Sequence, residues 1–519
     1  MDTVAGDAVF RCVGVSVERG LMPCVDWIEA VSDRLAGNGS VRSMIVAAWA
    51  ATGLCCFYYL FLVTNGDFNL FAREPLGAIF DHMAWNLLHW RFTIDPEVVG
   101  REAFLWHGGI YSYFGILPAV LRLPLVVLYG PDPPSLSRLS CWAGLIIIAT
   151  AATSILLNAW RQLPPMPNRD SSLAVVLAAT LLTGPLLSMT FTAWVYNEPI
   201  VWGTALAMLF LRLVLLQTTG ATPSGGVRWL WMGALAGLAF LVRPIPGLAM
   251  SVALALAVLL ISAVPPTIQL PGGRAARLLG MVRAATWAGI GFLPLFGFAL
   301  LVNWERWGDP LIFAPTAANI QVMADPRRLR IATERGLFEL DRLPLGIGYY
   351  VFGLSGDGWM ASLTARVSDG LGWPRSAFIA TSTTQIVMGL IGCVGLARHR
   401  MPEFLRGGSG LCLVAMPVIM AGMVLTLMFM NYRYRLEFLP LFVVCCLGGM
   451  AGLACLGRIW ARRTTLALAM LVIGNITISH LDLLQAKVAS FAQTEAARER
   501  IIRNTWPVSG LFVSKPVER

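Results

Sequence analysis

Acidic residues are missing from every long apolar stretch of this chain. Only 13% of the 519 residues are charged while 57% are hydrophobic, and the mean hydropathy is +0.68. That leaves too little polar surface to coat one or two water-soluble domains, which excludes a soluble globular protein. Lysine is almost absent as well: Lys487 and Lys515 are the only two, so the formal charge of +10 rests on arginine and points toward a GC-rich, bacterial source. The arginines sit in short groups beside apolar stretches and form no continuous basic face, so nucleic acid is not an expected partner. The large polar loops hold no cysteine. Eight of the ten cysteines (Cys55, Cys56, Cys141, Cys393, Cys412, Cys445, Cys446, Cys455) fall in apolar stretches, and Cys12 and Cys24 lie near the N-terminus. Neither a disulfide framework nor a cysteine-based zinc site is implied. No internal repeat and no low-complexity linker is visible.

What is there is an all-α polytopic membrane protein. A span needs about 20 apolar residues to cross the hydrocarbon layer. Eleven stretches qualify: 44–63, 139–160, 173–194, 199–216, 229–242, 245–264, 284–302, 379–397, 411–430, 438–456 and 465–480. The fifth and sixth are split by Arg243-Pro244-Ile245-Pro246, which predicts a tight turn or a broken helix, because proline lacks a backbone donor and arginine is costly in lipid. Residues 1–41 mix acids and arginines, so the first stretch reads as a retained signal anchor.

Arginine placement predicts orientation. With a cytoplasmic N-terminus, the short inner loops carry twelve arginines (Arg161, Arg169, Arg228, Arg274, Arg277, Arg283, Arg398, Arg400, Arg406, Arg458, Arg462 and Arg463), and the short outer loops carry three, Arg243, Arg433 and Arg435. The expected plan is a cytoplasmic tail over 1–41, a membrane module over 42–302 with an outer loop at 64–138, a second outer loop at 303–378, further spans over 379–482 and an outer tail over 483–519. Two apolar segments, 111–130 and 345–363, are read as interfacial helices, since counting the first as a span would put the arginine-rich loops outside.

The first outer loop concentrates reactive side chains. It holds Asp67, Glu74, Asp81, Asp95, Glu97 and Glu102, together with His82, His89 and His107, three of the five histidines in the chain. Residues 74–90 suit an amphipathic helix in which Glu74 and Asp81 share one face, as do His82 and His89. The histidines lack metal-ligand spacing and nearby cysteines. No cofactor is implied, and a divalent metal stays open.

The run Asp81-His82-Met83-Ala84-Trp85-Asn86-Leu87-Leu88-His89-Trp90-Arg91-Phe92, followed by Gly108-Gly109-Ile110-Tyr111-Ser112-Tyr113-Phe114-Gly115 and Pro118, resembles the first periplasmic loop of GT-C glycosyltransferases, multi-span enzymes that use lipid-linked sugars. Three further segments fit: Tyr196-Asn197-Glu198-Pro199 before the fourth span, Asn303-Trp304-Glu305-Arg306-Trp307-Gly308-Asp309-Pro310 after the seventh, and Asn431-Tyr432-Arg433-Tyr434-Arg435-Leu436-Glu437-Phe438-Leu439-Pro440 before a late one. The resemblance implies a catalytic base in the first loop, with Asp81 or Asp67 the matching position, and a second acidic site at Glu198. It implies binding of the lipid phosphate around Arg243, Arg433 and Arg435 with Tyr434 and Glu437, and contacts to sugar or acceptor from His82, Trp85, Tyr113 and Asn197. The implied partners are a polyprenyl-phosphate-linked sugar, membrane lipids, and a lipid, glycan or protein acceptor. The implied setting is the periplasmic face of a bacterial inner membrane.

Such a donor is already activated, because a phosphate diester departs as a stable anion and needs no general acid. One carboxylate base and a cationic clamp suffice, with inversion at the anomeric carbon. Glycoside hydrolysis differs, since its poor alcohol leaving group requires a second, protonated carboxylate. The alternative from another class is a lipid or glycan transporter or flippase. Transporters commonly place ionisable groups at mid-membrane within paired repeats. No predicted span here contains Asp or Glu, and no repeat is visible.

Overall fold

In the computed structural model the described residues are 39–164, 169–219, 225–261, 273–354, 360–368, 370–371, 377–398 and 401–491. The chain divides into two compact units, Met1–Ala51 and Thr52–Arg519. In the first, the described part is the opening of helix α1 (Gly39–Val63). Most of the expected N-terminal tail, Arg400 and the C-terminal tail from residue 492 lie outside the described residues.

The chain is a multi-pass, all-helical membrane protein. The loop at 64–138 carries the helices α2 (Ile79–Leu88) and α3 (Leu117–Tyr129), and a hairpin of β1 (Phe104–Trp106) with β2 (Gly109–Tyr111). There follow α4 (Ser137–Gln162), α5 (Arg169–Leu181), α6 (Asn197–Thr218), α7 (Gly226–Phe240), α8 (Pro244–Ile261) and α9 (Gly273–Trp307). After the segment 303–378, with its short α10 (Leu343–Phe352), come α11 (Thr383–Ala397), α12 (Gly407–Leu425), α13 (Leu439–Ala454) and α14 (Arg458–Phe491). Among the described residues nine helical segments are long and apolar enough to cross a membrane, and the shorter α7 and α11 occupy the two remaining predicted stretches. Leu54 and Phe57 on α1, Leu279 and Leu293 on α9, and Leu466 and Met470 on α14 are all more than half exposed. Apolar surface on this scale is suited to lipid rather than water.

Small residues decide which helices pack closely. Gly233 and Gly237 put one face of α7 directly on the backbone of α9, at Ala288 and Phe292, and Gly392 of α11 lies against Gly448 of α13. Lipid offers no hydrophobic drive for helices to associate, so close backbone approach and dispersion contacts do that work. The Arg243-Pro244 segment is a tight turn, with the amide of Arg243 donating to Ala239 at 2.8 Å before α8 starts at Pro244.

Two expectations change. The amphipathic helix predicted over 74–90 begins only at Ile79. Pro75 disfavours helical backbone at Glu74, and Leu76 has a φ of 58°, so 74–78 is a turn and Glu74 does not share a helix face with Asp81. The last helix continues through 483–491, where an outer tail is expected. Leu483 and Ala486 pack on Leu62, Leu187 and Phe191, and buried Lys487 donates to the carbonyls of Leu62 (2.6 Å) and Phe191 (3.0 Å) and to Asn65 Oδ1 (2.7 Å). A buried ammonium needs its hydrogens met by acceptors, and the helix extends to deliver it there.

Candidate functional site

Three of the first-loop acids, Asp67, Glu74 and Asp81, fall into two clusters, each built on an arginine. Asp81, in the first turn of α2, meets Arg122 of α3, with Nε 2.8 Å from Oδ1. The same guanidinium donates from Nη1 to Glu198 Oε1 (2.6 Å) and from Nη2 to Oε2 (3.0 Å). Arg122 is 1% and Glu198 0% exposed. Glu198 stands in the first turn of α6, where the positive end of the helix favours a carboxylate. Burial is the main influence on Asp81 and pushes its carboxyl up to about 6; Arg122 pulls it back down and Glu198 raises it again.

In the second cluster Arg138, one residue into α4, donates to Glu74 Oε1 at 2.6 Å, to both oxygens of Asp67 at 3.2 Å and to the carbonyl of Asn69 at 3.0 Å. Burial raises the Glu74 carboxyl while Arg138 opposes the rise. The Asp67 side chain is 30% exposed, against 7% for Asp81. Asp67 and Asp81 are therefore held by different cations, one near solvent and one inside.

Beside Glu198 stand Asn197, a predicted contact residue, and Tyr196 of the same segment. Asn197 is buried and donates to Thr192, at 2.8 Å to the carbonyl and 3.2 Å to the hydroxyl. It braces the turn into α6. Tyr196 donates its hydroxyl to Glu102 at 2.6 Å, and its ring is covered by the guanidinium of Arg433 at 4.3 Å. Gln321, in the segment 303–378, also donates to Glu102, at 2.8 Å. Tyr113 stacks on Phe114 at 4.3 Å, and Phe114 meets Tyr196 edge-on at 5.7 Å. Burial drives the hydroxyls of Tyr113 and Tyr196 well up, so both stay protonated donors. The first loop, the Tyr-Asn-Glu-Pro segment and the Asn431–Pro440 segment thus converge at one end of the helices.

The three predicted clamp arginines have different partners. Arg243 is paired with fully buried Glu437 at 2.9 Å and lies 4.9 Å from the Tyr434 ring. Arg435 donates to Thr381 Oγ1 at 2.9 Å, stands 3.6 Å from Asp482 and lies over Phe378. Arg433 rests between the Tyr196 and Tyr434 rings, its Nε without a hydrogen-bond partner and, among the described residues, with no carboxylate paired to it. Glu437 answers Arg243 as a counter-charge, a poor position for a phosphate ligand. His82 approaches Asp95 at 3.5 Å, whereas His89 Nδ1 lies 2.9 Å from the Trp85 carbonyl, with its ring against Trp85. Among the described residues no three His, Cys, Asp or Glu side chains are grouped to hold a metal ion.

Sequence reasoning missed Arg122 and Arg138, the two hubs. Their signal was present: an arginine within an apolar segment is costly to bury unless acids meet it, and Arg122 is the charge inside Leu117–Tyr129.

No protein-family model and no curated protein matches this chain. Three solved structures of the Archaeoglobus fulgidus oligosaccharyltransferase are similar to it, each at 13% identity and a TM-score of 0.48. The apo form is covered over 91% of this chain and 62% of that one. The complex of the archaeal oligosaccharyltransferase AglB with an inhibitory peptide and a dolichol-phosphate is covered over 91% and 61%, and the complex with Zn and sulfate over 90% and 59%. This chain spans about three fifths of the length of the oligosaccharyltransferase it matches.

Proposed function

We propose that this protein is a membrane glycosyltransferase of GT-C type that moves a sugar from a polyprenyl-phosphate carrier to a lipid, glycan or protein acceptor on the periplasmic face of a bacterial inner membrane. The observation that supports the reading is the meeting of three of its GT-C-like segments, the first-loop run, Tyr196–Pro199 and Asn431–Pro440. Asp81 and Glu198 share Arg122, while Tyr196 and Arg433 stack at 4.3 Å.

Asp81 is the base in this proposal. Glu198 holds Arg122 through two hydrogen bonds, whereas Asp81 touches it at a single nitrogen, so Asp81 is the acid that can turn toward a substrate while the arginine stays charge-paired. Its carboxyl, raised to about 6, is mostly ionised at neutral pH and still basic enough to take a proton. The acceptor O–H loses that proton to Asp81 as its oxygen bonds to the anomeric carbon, and the C–O bond to phosphate breaks with both electrons leaving on the polyprenyl phosphate. Arg433, the one of the three clamp arginines that pairs with no carboxylate among the described residues, stabilises that anion through the fork of guanidinium donors. Arg243 and Arg435 are already paired with the carboxylates of Glu437 and Asp482. Asp67, fixed by Arg138, has no chemical role.

Purified protein in liposomes, supplied with labelled polyprenyl-phosphate sugars and candidate acceptors, tests this. Wild type transfers label, and Asp81→Asn loses about 100-fold or more, within the range of general-base catalysis. Asp67→Asn stays within severalfold of wild type. Full activity in Asp81→Asn sinks the assignment, and absence of transfer from every donor with wild type sinks the reaction.

A further inference from the structure

On the side of α2 away from Asp81, a recess enclosing about 250 Å³, part of it open to solvent, lies between α2, α3 and the end of α9. Met83, Leu87, Phe92 and Ile116 make its apolar lining, and Arg91 and Arg306 add two guanidinium groups. Arg306, in the last turn of α9, is 6% exposed; one of its nitrogens donates to the carbonyl of Phe114 at 2.9 Å, and its Nε has no partner. The nearby carboxylates are committed elsewhere, Asp81 to Arg122 and Asp95 to His82. Among the described residues no carboxylate pairs with Arg91 or Arg306.

A buried guanidinium without a counter-charge is costly, and one that opens onto an apolar recess is best met by an anion that itself carries apolar groups. Planar, permanently charged donors suit phosphate oxygens. The recess is far too shallow to engulf a whole small molecule, so a phosphate would meet the guanidinium groups at its mouth, with its chain outside. Helix α3 offers a surface for such a chain, since Leu121, Val127 and Leu128 are exposed beyond 45%. We propose that this recess binds the anionic phosphate head of a membrane lipid between Arg91 and Arg306. The proposal needs no sugar transfer and stands apart from the phosphate position at Arg433.

Native mass spectrometry of the full chain released from phosphatidylcholine nanodiscs, doped with either phosphatidylglycerol or polyprenyl phosphate, reads the site directly. Wild type retains an anionic phospholipid in preference to phosphatidylcholine. Arg91→Gln and Arg306→Gln each cut that retention roughly tenfold, as expected for a lost charge-assisted bond. Ala119→Met, which narrows the same recess, cuts it as well and leaves both charges in place. Should Arg306→Gln fail to fold, Arg91→Gln, at an exposed side chain, still decides the matter. Retention of phosphatidylglycerol alone identifies a bulk lipid, and of polyprenyl phosphate alone the carrier; either supports the site. Equal retention of phosphatidylcholine, unchanged retention in Arg91→Gln and Ala119→Met, or displacement of the lipid by an equal concentration of inorganic phosphate would overturn it.

Discussion

Arg122 is the residue on which the site turns. It holds two acids that lie 117 positions apart in sequence, Asp81 and Glu198, inside a region where water reaches none of the three freely. Removing the cation leaves two buried carboxylates facing each other, a change that costs about 3–5 kcal/mol for a broken buried pair. Arg122→Leu should therefore melt well below wild type in detergent, and the double change Arg122→Leu with Glu198→Leu should recover part of the loss. An unchanged melting temperature in the single variant would mean that the pairing has no structural weight. At this scale the acids were legible in the sequence as a cluster, because carboxylates and histidines stand out in a chain so poor in charge. Their partition was not. Which acid meets which arginine depends on contacts across 41 to 76 residues, and neither spacing nor periodicity carries that information.

At the scale of elements, the sequence pattern located each spanning stretch, since uninterrupted apolar runs leave the backbone only helix as a way to satisfy itself in lipid. Local chemistry displaced the ends. Pro75 and the positive φ at Leu76 delay α2, and Lys487 draws α14 past its apolar run. Gly115 shows how an element is seated. A Cβ there would strike the carbonyls of Leu241 and Val242, at the turn between α7 and α8, and the amide of Leu117 donates to Leu241 at 3.0 Å. This contact docks the start of α3, and with it Arg122, onto the membrane helices. Gly115→Ala should cost about 1–3 kcal/mol by overpacking, measurable as a lowered melting temperature together with weaker transfer. A neutral result would show that the turn can yield.

For the whole molecule, the arginine count predicts which end faces the cytoplasm, and contacts among the loops assign the candidate site to one end. Cysteines introduced at Phe71 and Leu311, both exposed, should react in intact cells with a thiol reagent that cannot cross the membrane; cysteines at Asp170 and Gly457 should react only after permeabilisation. Labelling of Phe71→Cys and Asp170→Cys from the same side would break the alternation of spans. Sidedness is an expectation from the charge bias of short loops, whereas the route by which the segment 303–378 reaches Glu102 through Gln321 was not legible, since one glutamine in a polar loop announces no partner.

The pH dependence of transfer probes the central assignment. The Asp81 carboxyl is lifted to about 6 chiefly by burial, so its basic form grows as pH rises, from about a tenth at pH 5 to about nine tenths at pH 7. Wild-type transfer under limiting acceptor should rise about tenfold across that interval, and Asp81→Asn should be slow with no inflection near pH 6. An Asp81→Asn variant that keeps both the wild-type rate and the same rise would contradict the account.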